Sequence, residues 1–151
     1  MRTYCSLVIS SDTDDQLAAT VQRILGLRSS DVVDTQTPGL ISRRKKLAKI
    51  LGKPPLSPPR YFWRFSSKDM IDSTDIQAHI AWLLRQVRPG RSIHEVTEHG
   101  GNAFVTCFWA GNGRGGGPIL PSSLMRAVAG HGVELQFDFY VEGNNEPTSE
   151  D

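Results

Sequence analysis

Tyr4-Cys5-Ser6-Leu7-Val8-Ile9-Ser10-Ser11, followed by Thr13-Asp14-Asp15-Gln16, decides the fold, because the same order of features returns at Tyr61 to Phe65, Ser66-Ser67 and Thr74-Asp75-Ile76-Gln77. Each copy is an apolar run led by an aromatic, then a Ser-Ser pair, then Thr-Asp-x-Gln. Such a run reads as a strand. The Thr-x-x-Gln spacing predicts a capping box at a helix start: the Thr hydroxyl accepts from the N–H three residues on, Gln reaches back, and Asp suits the positive end of the helix dipole. The residues that follow keep a helical period. Leu17, Val21, Ile24 and Leu25 stand at i, i+4, i+7 and i+8, and Ile76, Ile80, Leu83, Leu84 and Val87 form a similar stripe. The chain is therefore built on repeated strand-helix units, each helix burying one face.

Outward from these units, the order predicted is strand, helix, long loop, strand, helix, linker, strand, helix, strand. The third unit runs from Asn102 through Trp109, a glycine loop, a short helix near Ser122 to Ala129, and a final strand from Val133 to Val141. That last strand alternates most cleanly, with Val133, Leu135, Phe137, Phe139 and Val141 on one face and Glu134, Gln136, Asp138 and Tyr140 on the other. Giving the other strands the same phase turns Cys5, Leu7 and Ile9, then Tyr61, Trp63 and Phe65, then Ala103, Val105, Cys107 and Trp109 inward. The opposite face carries Tyr4, Ser6, Arg64, Ser66, Thr106, Asp138 and Tyr140, and Arg64 pairs with Asp138 if their strands are neighbours. The expected fold is α+β, a mainly antiparallel sheet of about four strands with helices packed on one face. Residues 1–141 form the single domain, and 142–151 read as an acidic, disordered tail.

Composition narrows the class further. A chain of 151 residues is about one domain long, able to bury roughly two-thirds of its unfolded surface. Two cysteines, both on the apolar phase of strands, suit a reducing compartment rather than a disulfide scaffold. Without a signal-peptide pattern or a membrane-length apolar run, the expected location is the cytoplasm. A net charge of +1 gives no global field to hold nucleic acid or an anionic membrane.

Several catalytic signatures come close and fail on mechanics. Gly111-x-Gly113-x-x-Gly116 follows a strand, but Pro118 and Pro121 delay the helix whose N-terminus would hold a pyrophosphate. A weaker anion nest with Arg114 as its charge is left. His94-Glu95-Val96-Thr97-Glu98-His99 is one residue too long for the zinc-protease spacing, since helical positions five apart point about 140° apart. Ser66-Ser67 beside Lys68 lacks the glycine elbow of a nucleophile. His79 flanks the stripe of its helix without a visible partner. No metal, cofactor or catalytic set is called for, and the reading leans away from an enzyme.

Tyr4-x-x-Leu7-x-Ile9, Leu25-Gly26-Leu27, Trp63-Arg64-Phe65-Ser66-Ser67, Asp75-x-x-x-His79-Ile80-x-x-Leu83-Leu84 and Leu135-x-Phe137-Asp138-x-Tyr140 together resemble the bacterial domain-of-unknown-function family 4279. The resemblance spans nearly the whole chain and implies a small single-domain α+β protein. It carries no catalytic residue to any position here. Small stand-alone bacterial domains of this kind include immunity proteins, which neutralise a toxin by binding it, an analogy of class only.

The strongest local charge signal is Arg43-Arg44-Lys45-Lys46-Leu47-Ala48-Lys49-Ile50-Leu51-Gly52-Lys53. Leu47, Ile50 and Leu51 at i, i+3 and i+4 predict a short basic amphipathic helix ended by Gly52 and the prolines Pro54 and Pro55. Arg43, Arg44, Lys45, Lys46 and Lys49 are the candidate contacts to an acidic protein partner, with nucleic acid a weaker candidate. The function expected is non-enzymatic protein binding of an immunity-like kind. The alternative is a small-ligand or phosphate site using Arg64, Asp138 and Tyr140 on the open sheet face, or Arg114 in the glycine loop.

Overall fold

The computed structural model describes residues 3–29, 31–54, 58–111 and 116–141. The chain runs β1 (Tyr4–Ser11), α1 (Leu17–Leu25), β2 (Asp31–Asp34), α2 (Pro38–Leu51), β3 (Tyr61–Ser66), α3 (Ile76–Gln86), α4 (His94–Thr97), β4 (Asn102–Gly111), α5 (Ser122–Gly130) and β5 (Glu134–Val141). The expected tail from 142 onward and Arg114 lie outside the described residues.

The α+β class holds, but the sheet has five strands in the order β2-β3-β1-β4-β5. The added strand is β2, which pairs antiparallel with β3 from Asp31 opposite Arg64 to Asp34 opposite Tyr61. The expected antiparallel character holds for β2 on β3, β3 on β1 and β1 on β4, whereas β5 runs parallel to β4. That parallel pair follows from its connection: strands joined through a crossover helix, here α5, come out parallel, while tight hairpins give antiparallel neighbours.

The predicted faces are the observed ones. Cys5, Leu7, Ile9, Trp63, Ala103, Val105 and Cys107 are buried on one face against Leu17, Val21 and Leu25 of α1, Ile76, Ile80 and Leu83 of α3, and Val128 of α5. Fully burying a Leu, Ile or Phe is worth roughly 1.5–3 kcal/mol, so this layer, more than the half-polar opposite face, holds the fold together. Trp109 is only partly buried, and Phe139, at the sheet's edge, is 57% exposed. On the other face Val8 is nonetheless buried, because its cross-strand neighbours are Arg64 on β3 and Phe104 on β4.

The two Thr-Asp-x-Gln segments make the same aspartate turn but not the expected capping box, and the helices start at different points: α1 follows Gln16, which caps it with no side-chain bond, whereas α3 is capped by Asp75. Asp14 Oδ1 accepts from the Gln16 N–H at 2.9 Å, and Asp75 Oδ1 accepts from the Gln77 N–H at 2.9 Å. Asp75 is the N-cap of α3, so the capping oxygen belongs to the aspartate instead of the threonine. The two-residue reach is the Asx turn that a short carboxylate makes with its own backbone. Glu95, not either glutamine, makes the reach back across a helix start, accepting from the Ser92 N–H at 2.7 Å. That donor, with help from Arg91, holds the Glu95 carboxyl below its ordinary range. Gly101 enters β4 at φ 91°, where a Cβ would stand 2.5 Å from the Ser10 carbonyl oxygen. Only glycine allows β4 to approach β1 there.

Candidate functional site: a basic surface helix and an open sheet face

The basic segment forms a longer helix than its apolar spacing predicts, starting at Pro38 in the first turn, where a missing N–H costs nothing. It ends at Gly52, left-handed at φ 63°, and the N–H groups of Gly52 and Lys53 both donate to the Ala48 carbonyl. Among the described residues, none on α2 is buried. Leu47, Ile50 and Leu51 are 51%, 71% and 58% exposed.

The five candidate cations divide into two roles. Arg43, Lys45, Lys46 and Lys49 stand exposed. Arg44 is half-buried, and its Nη1 donates to the Thr35 carbonyl at 2.6 Å. Thr35 is itself buried, its hydroxyl donating to the Pro59 carbonyl at 2.7 Å and its N–H to the Arg60 carbonyl. Arg44 thus ties α2 to the β2–β3 end of the sheet and is a positioning residue. A groove of about 220 Å³ runs along Arg44, Leu47, Ala48, Leu51, Lys53 and Pro54. No Asp or Glu occurs from Pro38 to Lys53, so the charged residues lining the groove, Arg44 and Lys53, are both cationic among apolar neighbours.

The open sheet face brings together most of the residues expected on it. Tyr4, Ser6, Arg64, Thr106, Phe108 and Asp138 line one depression of about 120 Å³. Arg64 and Asp138 are not on neighbouring strands as expected: β1 and β4 intervene, about 14 Å of sheet at some 4.8 Å per strand. Ser6 donates to Ser66 Oγ at 3.0 Å. Tyr140 belongs to a row that the sequence reading missed in part. Its ring lies 4.8 Å from Phe108, which stacks on Tyr4 at 5.2 Å and 13°, and Lys68 Nζ sits 5.5 Å over Tyr4. The rings turn their facing sides on one another and Tyr4 also faces Lys68, while Tyr140, on the edge strand, stays 45% exposed. That geometry stabilises strand pairing. The signal for the row was in the alternation, since Phe108 shares the parity of Thr106.

Ser67 and His79 form a contact that neither residue advertises in the sequence. Both are closed from solvent, at 0% and 1% exposure, and Ser67 Oγ lies 2.7 Å from His79 Nδ1. A nucleophile must meet substrate, and this one is sealed in. Lys68 is drawn off to Tyr4, so no Ser-Lys pair forms either. His94 takes Ser92 Oγ at Nδ1, 2.7 Å away, and Glu98 at Nε2, 3.3 Å away, both on its own short helical segment. Among the described residues, no group of three or more His, Cys, Asp or Glu converges to hold a metal. Nor is any helix among them long and apolar enough to cross a membrane.

Residues 1–142 match the family model described as "Domain of unknown function (DUF4279)". No curated protein and no solved structure matches the chain.

Proposed function

Since the chain belongs to that family, whose function is undefined, we propose that it acts by binding a protein, with α2 as the docking element and an acidic, groove-bearing surface as the partner. The observation that carries this is a helix of 14 residues with no buried residue, an exposed apolar trio and no acidic side chain. Helices of about 12–15 residues are marginal in water without tertiary packing, so an apolar stripe on such a helix gains stability when a partner covers it. Recognition would follow the helix-in-groove mode, with Leu47, Ile50 and Leu51 as anchors at i, i+3 and i+4. Arg43, Lys45, Lys46 and Lys49 would steer the encounter and set its partner's sign of charge. The exposed apolar residues make a compact patch at the helix's end, which suits a protein groove better than a bilayer plane. A protein that neutralises its target by occupation, in the immunity-like sense, needs no more chemistry than this.

The ligand reading placed on the open sheet face is weaker on size. A depression of about 120 Å³ falls short of the roughly 300–1,000 Å³ typical of small-molecule pockets.

The test is capture from native lysate with the tagged full chain, its variant with Arg43, Lys45, Lys46 and Lys49 changed to Ser, and the double variant L47S/I50S. One acidic protein retained by the parent chain, released by salt and lost from both variants is the expected result. The same protein retained equally by all three would place the interface elsewhere.

A further inference from the structure

The strand β5 is an edge of the sheet. Its inner side pairs with β4, from Phe104 opposite Glu134 to Gly111 opposite Val141, and among the described residues no strand lies on its outer side. Sheet edges are ordinarily blunted by short length, Lys, Pro or bulges. The far edge, β2, is four residues with Asp at each end. β5 is eight residues, Glu134-Leu135-Gln136-Phe137-Asp138-Phe139-Tyr140-Val141, with no Lys, Pro or Gly. Its apolar side is incompletely covered. Phe137 and Phe139 stack at 5.4 Å and 7°, Trp109 meets Phe139 edge-on at 5.8 Å, and still Phe139 is 57% exposed and Tyr140 45%.

We propose that β5 pairs antiparallel with β5 of a second chain about a twofold axis at Phe137, joining two sheets into one. A twofold perpendicular to the sheet relates two identical edge strands antiparallel, so each supplies the hydrogen-bonding row the other lacks. Side-chain charge selects the register. Centred on Phe137, the pairing sets Leu135 opposite Phe139, Gln136 opposite Asp138 and Glu134 opposite Tyr140, so each carboxylate faces a neutral hydrogen-bonding group. Moved by one residue to centre on Asp138, it would set two carboxylates face to face, which is unfavourable. The arrangement leaves α2, which is tied to the opposite end of the sheet, free in both chains.

Light scattering coupled to size exclusion on the full chain, up to high micromolar concentration, tests this. The expected result is a dimer that F139K and Q136K each convert to monomer, while the α2 variant with Arg43, Lys45, Lys46 and Lys49 changed to Ser stays dimeric. Gln136 is exposed, so Q136K reports on the edge even if F139K fails to fold. A monomeric parent chain, or a dimer that survives Q136K, overturns the proposal. Loss of the dimer in the α2 variant alone would also overturn it, by moving the interface to α2.

Discussion

Ser67 Oγ sits 2.7 Å from His79 Nδ1 inside the core, and the pair joins three elements that the sequence keeps apart. His79 Nε2 lies 2.7 Å from the Ser73 carbonyl, which can only accept, so the ring proton is on Nε2 and Nδ1 accepts from the Ser67 hydroxyl. The Ser67 oxygen in turn accepts from the Cys5 N–H at 2.9 Å. One hydroxyl thereby fastens the start of β1 and the end of β3 to α3.

Ser67→Ala leaves two buried groups, the Cys5 N–H and His79 Nδ1, without their partner. The expected loss is about 2–3 kcal/mol in urea unfolding, with no effect on partner capture. Adding His79→Leu to Ser67→Ala removes the orphaned ring and should recover part of the loss. Additive losses in the double variant would show that the two side chains are not coupled.

Cys5 and Cys107 stand directly opposite each other on β1 and β4, both fully buried. Burial pushes each thiol up to about 12, with Cys5 adding to the rise at Cys107. The thiolate is the reactive form, so neither should react with a thiol-specific disulfide reagent until the chain unfolds. A raised folded-state pKa means that the unfolded chain loses these protons first. Their contribution to stability is complete below about pH 9 and falls by about 1.4 kcal/mol per thiol for each pH unit toward 12. Cys107→Ala should make the alkaline limb of stability shallower; an unchanged slope would contradict the assignment.

His131 gives the acid limb its sign. Its Nδ1 accepts from the Ile93 N–H at 3.2 Å, which requires the neutral ring. Burial, and secondarily the nearness of His94, lowers its pKa below the ordinary 6.5. The unfolded chain therefore takes up the proton first. Stability from this contact is present above pH 6.5 and is lost as pH falls through the folded-state pKa. His131→Asn keeps an acceptor while removing the titration, and should flatten thermal stability between neutral and mildly acidic pH. A variant as acid-sensitive as the parent would assign the effect to another group.

Period and parity carried most of the fold. The alternation from Val133 to Val141 and its phase on the other strands placed Leu7, Trp63 and Val105 inside and Tyr4, Arg64 and Asp138 outside, as observed. Asp31-Val32-Val33-Asp34 was missed because four residues bounded by acids show no alternation. The parallel β4–β5 pair was implicit in the strand-helix-strand order read for the third unit, had the crossover been weighed. Site chemistry was less legible. Ser67 and His79 are 12 residues apart, and only the strand-to-helix turn brings them together. Arg44 looks like its neighbours in sequence, and only the position of the Thr35 carbonyl makes it an anchor.

The most direct measurement is site-specific photo-cross-linking, with benzoylphenylalanine in place of Ile50 on α2, 71% exposed, or of Met70, 62% exposed and on the connection between β3 and α3. If α2 is the docking element, illumination in native lysate gives one adduct to an acidic protein from position 50, lost when Arg43, Lys45, Lys46 and Lys49 are changed to Ser. An adduct from position 70 but none from position 50 would contradict it.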